Sequence, residues 1–177
     1  MKAIDLHTHS IYSDGSLTVE ELVDLAIEKG LSHIALTDHD TVDGVKRAMD
    51  YAANKDITVI PGIELSSEYQ GRDIHIVGLN IDINNEEFKE YLKDFVLDRE
   101  KRNEKMCKLL TDAGLTLSYE ELRGEFPDSV ITRAHFSRLM LKKGYTQSLK
   151  EAFDRYIGDS GPYFVPRHKI SASMAVD

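Results

Sequence analysis

Two histidines separated by one residue stand at the end of an apolar run near the start of the chain, within IDLHTHSIYSDGS. If that run is a β-strand, His7 and His9 lie on the same face, because side chains alternate with period two. Asp14 follows in the segment that leaves the strand. Two imidazoles that face the same space are suited to holding a metal ion, although an isolated pair is a weak indication by itself.

Further potential ligands follow the next strands of the chain. His39 comes just after the apolar segment HIALT, Glu64 lies at the end of ITVIPGIEL, and His75 lies in a strand that runs back after Glu64. In a parallel α/β sheet the carboxyl ends of the strands share one edge, where ligands and catalytic groups gather. We therefore expect metal ligands at this edge from six residues: His7, His9, Asp14, His39, Glu64 and His75.

The mixture of ligand types favours transition metals. Neutral imidazoles with carboxylates suit Zn²⁺, Mn²⁺ or Fe²⁺, whereas Mg²⁺ and Ca²⁺ prefer oxygen ligands. Six ligands exceed the needs of one ion, so we expect more than one divalent ion, with Glu64 bridging them. Paired ions clamp the attacking and departing oxygens of a phosphoryl transfer and generate hydroxide at neutral pH. We expect catalytic roles for Asp14, His39 and Glu64, and we expect Asp5 to accept the ring N–H of a ligating histidine.

Arg133 and His135 lie in the first turn of a helix that Thr132 is expected to cap, within VITRAHFSRLM. Free N–H groups and the positive end of the helix dipole favour an anion there, and the arginine fork matches phosphate oxygens. We expect both residues to bind substrate, and Arg133 to act in catalysis by positioning the phosphoryl group. The alternatives are a surface cap with incidental charge for Arg133 and a further metal ligand for His135.

The remaining reactive side chains fit plainer roles. His33 begins the second strand, at the opposite end from His39, and is expected to be structural or solvated. His168 lies in a charged loop without an evident partner. Cys107 lacks a matching base, which favours a packing role over a nucleophilic one.

Composition limits the possible partners. The 177 residues carry a formal net charge of −9, which argues against a sequence-independent grip on duplex nucleic acid but permits a nucleotide or a strand end. A single cysteine excludes an internal disulfide, and no apolar run approaches the ~20 residues of a membrane span. We expect a cytoplasmic protein that meets no membrane and binds a small phosphorylated substrate. The oligomeric state stays open.

The hydrophobic pattern predicts an α/β fold. Strands and helices alternate over the first 64 residues, which implies parallel βαβ units, and a hairpin with a Gly-containing turn follows. Thr18 and Glu21 form a capping-box pattern at the start of the first helix, and Gly30 ends it. A long polar helix precedes a helical segment at residues 118–157. The candidate caps in that segment are Ser118, Thr132 and either Gln147 or Ser148.

These elements suggest three parts. Residues 1–84 contain the strands of the metal site, residues 85–157 form a helical insertion, and residues 158–177 form a loop that starts the return to the first part. The last segment, KISASMAVD, is similar to the opening of a helix with Ser171 as its N-cap, and it stops after about one turn. We therefore expect the sequence to be a piece of a longer protein.

Four motifs follow one another between residue 1 and about residue 80: DLHTHSIYSDGSLT, ALTDHDTVDG, IPGIELSS and IHIVGL. Together they resemble the PHP (polymerase and histidinol phosphatase) family of metal-dependent phosphoesterases. The helical segment, TRAHFSRLM and GPYFVP resemble more narrowly the branch of nucleoside 3′,5′-bisphosphate phosphatases and 5′-to-3′ exoribonucleases.

The resemblance implies a distorted (β/α)₇ TIM-like barrel whose site is covered by the helical insertion. It implies two or three divalent ions, Mn²⁺ foremost, held by the same six residues, and substrate contacts at Arg133 and His135. Such proteins are longer and take further ligands from a later histidine and a C-terminal Asp-x-His. Because this chain has no Asp-x-His after residue 135, we expect it to contain the N-terminal part of the barrel and to lack the C-terminal strands.

These observations predict a phosphoesterase that uses metal-activated hydroxide to hydrolyse 3′,5′-nucleoside bisphosphates or short RNA. The first alternative is a histidinol-phosphatase-like monoesterase, which the helical segment disfavours. The others are a non-catalytic PHP module that binds metal for structural reasons and an interaction scaffold without metal.

Overall fold

The computed structural model describes residues 3–167 and 169–176, which form two compact units. One unit contains the described residues of Met1–Phe95 and Lys169–Asp177, and the other contains those of Val96–His168. His168, for which the sequence suggested no partner, lies outside the described residues. The three-part division proposed from the sequence stays a prediction.

The first unit has the α/β fold that the sequence pattern predicted. Its elements are β1 (Ala3–Thr8), α1 (Val19–Glu28), β2 (Leu31–Leu36), α2 (Val45–Ala52), β3 (Thr58–Tyr69), β4 (Arg72–Leu79) and β5 (Ile170–Ser171). Strands β1, β2 and β3 are parallel neighbours, β4 returns antiparallel along β3, and β5 pairs with the far end of β3. The described strands form one five-stranded sheet, and the closed seven-stranded barrel stays a prediction.

Strand β3 joins two kinds of pairing. Its residues 58–61 pair with β2, and its residues 62–69 pair with β4. Gln70 and Gly71 connect β3 to β4 with φ values of 51° and 74°. Positive φ at both residues is typical of the two-residue turn that matches the twist of a hairpin. The predicted hairpin is confirmed, and it carries β4 back past Glu64.

Local side-chain contacts explain where the first helix begins and ends. Thr18 accepts the Glu21 N–H at 3.2 Å, and the Glu21 carboxylate accepts the Thr18 N–H at 2.8 Å, so the predicted capping box is confirmed. Gly30 follows the helix with φ of 74°, a left-handed conformation that glycine adopts without strain.

Helix α2 is shorter than the segment TVDGVKRAMDYAANK, whose pattern predicts a helix from Thr41. The helix begins at Val45. In the intervening turn the Asp43 N–H donates to Thr41 Oγ at 3.2 Å, and the Val45 N–H donates to the Val42 carbonyl at 3.0 Å. His39 is therefore followed by a loop, and it forms an isolated parallel bridge with Glu64 of β3.

An apolar core fixes the strands of the first unit. Helices α1 and α2 each bury one face against the sheet. Burying a valine, leucine or isoleucine side chain contributes about 1.5–3 kcal/mol, so these contacts stabilise the strands that carry the candidate site. The core includes Val19, Val23 and Ala26 of α1, Val45, Ala48 and Ala52 of α2, and Ile34, Leu36, Val59 and Ile63 of the strands.

The second unit is helical, as predicted for this segment. It contains most of α3 (Glu86–Asp112), then α4 (Tyr119–Glu125), α5 (Arg133–Lys142), α6 (Leu149–Ala152) and a π-helical turn at Phe153–Ile157. The side chains of Ser118, Thr132 and Ser148 accept backbone N–H groups at the starts of α4, α5 and α6, which confirms these three caps. The fully buried side chains of its core include Met106, Leu110, Leu122, Phe136, Met140 and Ile157.

Two features complete the fold. Ser171 ends β5, and its hydroxyl accepts the Met174 N–H at 3.2 Å, so a turn follows it as expected for an N-cap. Across residues 3–167 and 169–176, no helix has both the length and the apolar character needed to cross a membrane.

Candidate metal centre

Three side chains reach the candidate site from the carboxyl ends of the parallel strands. His7 lies near the end of β1, His39 follows β2, and Glu64 lies in β3, where it forms a parallel bridge with His39. The Glu64 N–H donates to the Asp38 carbonyl at 3.2 Å, and the Asp40 N–H donates to the Glu64 carbonyl at 3.1 Å. The backbone thus holds His39 beside Glu64 by continuing the β2–β3 pairing past the end of β2.

The Glu64 carboxylate is the centre of the cluster. Its Oε2 lies 2.7 Å from His7 Nε2 and 3.0 Å from His9 Nε2. Its Oε1 lies 2.6 Å from His75 Nδ1, and His39 Nδ1 lies 3.7 Å from Oε2. Four imidazoles therefore surround one carboxylate. The Glu64 side chain is 5% exposed, so this carboxylate is almost shielded from water.

Asp14 supplies the second carboxylate. Its Oδ2 lies 3.5 Å from His39 Nε2, and its Oδ1 lies 3.6 Å from His9 Nδ1. The structure therefore brings together all six residues that the sequence selected. Their ligand atoms form three overlapping groups, with the atoms of each group within 4.8 Å of one another: His7, His9 and Glu64; His9, Asp14 and His39; and His39, Glu64 and His75.

The donor set of each group fits a divalent transition metal. Each group combines imidazole nitrogens with one carboxylate, and this combination suits zinc, manganese or iron better than magnesium or calcium. Three protein ligands are also the number that catalytic zinc sites use, because a further position then stays open for water or substrate. The groups overlap, because each pair of groups shares one residue: His9, His39 or Glu64.

Glu64 and His9 shift each other's pKa in opposite directions. Burial opposes the ionisation of Glu64, but hydrogen bonds from the surrounding histidines, His75 first, outweigh it and hold the pKa of Glu64 well below its usual range. Burial also lowers the pKa of His9, but Glu64 and Asp14 more than compensate and raise the pKa of His9 above its ordinary value. Both shifts favour negative charge on Glu64 and positive charge on His9. A cation would compete with protons for the ligand atoms of this cluster.

A buried aspartate that sequence reasoning did not select holds the loop that carries His9 and Asp14. Asp38 is 1% exposed, and its Oδ1 accepts the Ser10 N–H at 2.8 Å and the Ser13 hydroxyl at 2.6 Å. Its Oδ2 accepts the Ser10 hydroxyl at 2.6 Å. Burial raises the pKa of Asp38, and the hydrogen bonds from the two serines partly oppose this rise.

Asp40 ties the loop after β2 to strand β3. Its φ of 56° lies in the left-handed region, which aspartate tolerates better than most residues. Its carboxylate accepts the Ser66 N–H at 2.8 Å and the Ser66 hydroxyl at 3.0 Å. Ser66 lies two residues after Glu64 and pairs with His75 across the hairpin. The sequence signal for both buried aspartates was their position on either side of His39 in TDHD.

Gly15 allows the same loop to close tightly on the end of β1. Its N–H donates to the Ser10 carbonyl at 2.9 Å. A Cβ atom at this position would lie 2.4 Å from the His9 carbonyl oxygen, which is closer than real side chains come to a backbone atom. The position therefore requires glycine for steric reasons.

Three other residues considered in the sequence have structural contacts. Asp5 Oδ1 accepts the backbone N–H of His7 at 3.2 Å, so the expected bond to a histidine ring is replaced by a main-chain contact. His33 is exposed, and its Nδ1 lies 3.0 Å from Ser32 Oγ, in agreement with a solvated position. Cys107 packs in the core of the helical unit, where burial and nearby glutamates raise the pKa of its thiol to about 12.

Arg133, predicted to bind substrate, lies at the start of α5 in the helical unit. Its Nη1 donates to the Asp159 carboxylate at 2.6 Å and to the Ile157 carbonyl at 3.3 Å. Its guanidinium also lies 5.0 Å from the centre of the Phe164 ring. Arg133 thus already binds an anionic group, and its contact with substrate stays a prediction.

His135 has a structural role in the same turn. The side chain is fully buried, and its Nδ1 accepts the Thr132 N–H at 2.9 Å to complete the helix cap. Its ring centre lies 4.5 Å from that of Phe126. Binding of substrate or of a further metal by His135 stays a prediction, and either role would use Nε2 because Nδ1 is occupied.

Known proteins match this chain over most of its length. A profile of the PHP domain matches residues 5–161. The chain is 38% identical over 176 residues to a 5′-3′ exoribonuclease of Haemophilus influenzae, an alignment that covers 99% of this chain and 64% of that protein. It is 33% identical over 177 residues to a 3′,5′-nucleoside bisphosphate phosphatase of Chromobacterium violaceum, covering 99% of this chain and 62% of that protein.

Solved structures also match the fold of this chain. The structure of an amidohydrolase from Chromobacterium violaceum, with bound sulfate and no metal, matches this chain with a TM-score of 0.90 and 32% identity. The match covers 98% of this chain and 61% of that structure. The chain thus spans less than two thirds of the length of each of these relatives.

Proposed function

The chain belongs to the PHP domain family, and we propose that it acts as a metal-dependent phosphoesterase on nucleotides or the ends of short RNA. The observation that carries this proposal is the cluster of four histidines and two carboxylates around the buried Glu64. The substrate class is supported by relatives named as an exoribonuclease and a nucleoside bisphosphate phosphatase. Hydrolysis of 3′,5′-nucleoside bisphosphates is the specific activity proposed.

The cofactors proposed are two or three divalent ions, Mn²⁺ first, with Zn²⁺ and Fe²⁺ as alternatives. Their ligands are His7, His9, Asp14, His39, Glu64 and His75, in the three overlapping groups described above. When bound, such ions act as Lewis acids that polarise phosphoryl oxygens and lower the pKa of water. The protein contributes the positions of these ions and the negative charge that holds them.

The two carboxylates have different tasks in this proposal. Glu64 is nearly buried and strongly acidic, so it stays ionised and supplies charge through both of its oxygens. Asp14 is 25% exposed and lies 3.5 Å from His39, whose side chain is 12% exposed. Because these two groups reach the surface, we assign to Asp14 and His39 the movement of protons to and from the reacting oxygens.

Arg133 is proposed to position the phosphoryl group. Its present partner, Asp159, is 70% exposed, and a phosphate offers the same charge and a similar pair of oxygens to the guanidinium fork. Substrate would therefore compete with Asp159 for Arg133. Asp159→Asn is expected to lower KM, whereas Arg133→Ala is expected to raise it. His135 is proposed to contact substrate beside Arg133.

The test is hydrolysis by the Mn²⁺-loaded chain. Phosphate release from a 3′,5′-nucleoside bisphosphate and shortening of a 5′-phosphorylated RNA oligomer are measured for the wild type and for Glu64→Gln. Glu28→Gln is the control, because it removes the same charge from an exposed position on α1. We expect Glu64→Gln to abolish hydrolysis and Glu28→Gln to leave it unchanged.

Other outcomes favour the alternatives. Release of phosphate from histidinol phosphate but from neither nucleotide substrate would favour a monoesterase of that type. Stoichiometric Mn²⁺ without hydrolysis of any of these substrates would favour a non-catalytic metal-binding module. Equal hydrolysis by Glu64→Gln and the wild type would contradict the assignment of the site.

A further inference from the structure

We infer that Ser13 and Asp38 fix the tautomer of His9 by keeping a proton on Nδ1, so that Nε2 is the atom offered to a metal ion. The inference rests on the metal centre proposed above. It concerns two residues that are not ligands and that act through His9, so both are positioning residues.

The three side chains form a chain of close contacts behind the metal cluster. Ser13 Oγ lies 2.6 Å from Asp38 Oδ1 and 3.2 Å from His9 Nδ1. Ser13 is fully buried and Asp38 is 1% exposed, so water does not compete for these groups. The opposite ring nitrogen, His9 Nε2, lies 3.0 Å from Glu64 Oε2. The two nitrogens of one imidazole thus face two different partners.

Counting protons decides which of these atoms donates. The Ser13 hydroxyl has one hydrogen, and it donates that hydrogen to Asp38 Oδ1. Ser13 Oγ therefore faces His9 with a lone pair. Two lone pairs at 3.2 Å would repel, so the contact is attractive when Nδ1 carries a hydrogen. The same reasoning places a hydrogen on Nε2, which faces the Glu64 carboxylate at 3.0 Å. A metal ion would displace this Nε2 proton, because a ligating imidazole is neutral, and the proton on Nδ1 would stay.

This assignment selects between two sides of the cluster. His9 Nε2 faces Glu64, within the group that also contains His7, whereas His9 Nδ1 lies 3.6 Å from Asp14. With Nδ1 protonated, His9 ligates through Nε2 on the Glu64 side, and an ion on the Asp14 side is held by Asp14 and His39 without His9 Nδ1. An acceptor behind a ligating imidazole also raises the basicity of the ligating nitrogen and holds the ring in place.

Ser10 provides a matched control for Ser13. Both serines are fully buried, and each donates its hydroxyl to Asp38 at 2.6 Å. The Ser13 hydroxyl also lies against His9, whereas the hydrogen bonds described for the Ser10 hydroxyl join Asp38 and the Tyr12 N–H. Ser10→Ala and Ser13→Ala therefore remove equivalent bonds to the same carboxylate but differ in their effect on the imidazole.

The experiment combines nuclear magnetic resonance with zinc titration on the 177-residue chain. Protein labelled with ¹⁵N-histidine is loaded with Zn²⁺, and the His9 signals are identified by their loss in His9→Gln. We expect zinc on Nε2 and a slowly exchanging proton on Nδ1 in the wild type. In Ser13→Ala this proton should exchange quickly with water and zinc affinity should fall about tenfold, the lower end of the effect of removing such a partner. Ser10→Ala should keep the slowly exchanging Nδ1 proton, and its zinc affinity should fall less than that of Ser13→Ala.

Several results would overturn the inference. One is zinc bound through Nδ1 of His9 in the wild type, which is decided without any serine variant and so holds even if Ser13→Ala does not fold. Another is an equal loss of zinc affinity in both serine variants with the Nδ1 proton retained, which would mean that the serines merely build the loop. If the wild type binds no zinc, the proposed metal centre itself fails. The exchange rate of the Nδ1 proton in the zinc-free protein still tests the hydrogen bond, because only Ser13→Ala should speed it, and equal rates in Ser13→Ala and Ser10→Ala would overturn the assignment.

Discussion

Replacing Glu64 by glutamine should remove most of the metal-binding capacity of this chain while preserving the shape of the side chain. Glu64 belongs to two of the three ligand groups, whereas Asp14 belongs to one. Glu64→Gln should therefore weaken two ions, and Asp14→Asn should weaken one. This difference follows from the geometry and does not depend on which transition metal is used.

The expected magnitude follows from the contacts of the Glu64 carboxylate. Its oxygens lie 2.7, 3.0 and 2.6 Å from nitrogens of His7, His9 and His75, and its side chain is 5% exposed. A hydrogen bond to a charged group contributes about 1.5–3 kcal/mol. We take this range as the minimum binding free energy that each ion loses when the Glu64 charge is removed. Since about 1.4 kcal/mol is a tenfold change, each of the two ions should bind roughly 10- to 150-fold more weakly.

The assay is elemental analysis after dialysis, followed by titration with Mn²⁺ and Zn²⁺. Glu64→Gln should retain at most one ion per chain, Asp14→Asn should lose a single ion, and Glu28→Gln should match the wild type. Thermal unfolding of the metal-free proteins shows whether each variant is folded. The reasoning would be refuted if Glu64→Gln bound as many ions as the wild type, with affinities within about twofold. A twofold change represents only ~0.4 kcal/mol of binding free energy, and removing a carboxylate shared by two ions should cost more than that.

Three further predictions concern stability and reactivity. The pKa of His9 is raised from 6.5, so its protonation stabilises the metal-free fold below that pH, and this contribution is lost as the pH rises through the folded-state pKa. The Tm of the metal-free wild type should therefore fall over that pH range, and the Tm of Glu64→Gln should fall less. Parallel curves of Tm against pH for the two proteins would contradict this. Gly15→Ala should lower the free energy of unfolding by about 1–3 kcal/mol in urea titrations and weaken Zn²⁺ binding, because its Cβ would meet the backbone of the preceding residues. Gly124→Ala, at an open position in α4, should instead stabilise the chain by about 0.5–1 kcal/mol, and equal effects of the two substitutions would argue against the steric explanation. Cys107 should resist alkylation by iodoacetamide in the folded protein, because burial raises the pKa of its thiol to about 12. It should react in urea, and mass spectrometry follows both reactions. Rapid alkylation of the native chain would instead show that the thiol is accessible.

Some features of this protein could be predicted from sequence because their causes are local or periodic. Alternation with period two placed His7 and His9 on one face of a strand, and the capping box of Thr18 and Glu21 needed residues three apart. The rule that parallel strands end at a common edge then extended this reasoning to Glu64, which lies far from His7 in sequence. All of these features depend on residue type and spacing.

Other features were decided by the tertiary structure alone. Which carboxylate became the shared centre depends on burial, because Asp14 and Glu64 are equally acidic residues in a sequence but are 25% and 5% exposed in the fold. The helical pattern placed Arg133 in a first turn but did not show that Asp159 binds it.

The buried support of the site shows the physical reason most clearly. Asp38 receives the hydroxyls of two serines, and those serines lie 28 and 25 residues away from it in the sequence. A polar residue next to a histidine in a loop looks solvated when it is read from the sequence. Folding removed water from Asp38 and left those hydroxyls as its partners, and such a pairing between distant segments has no local or periodic signal that a sequence pattern could carry.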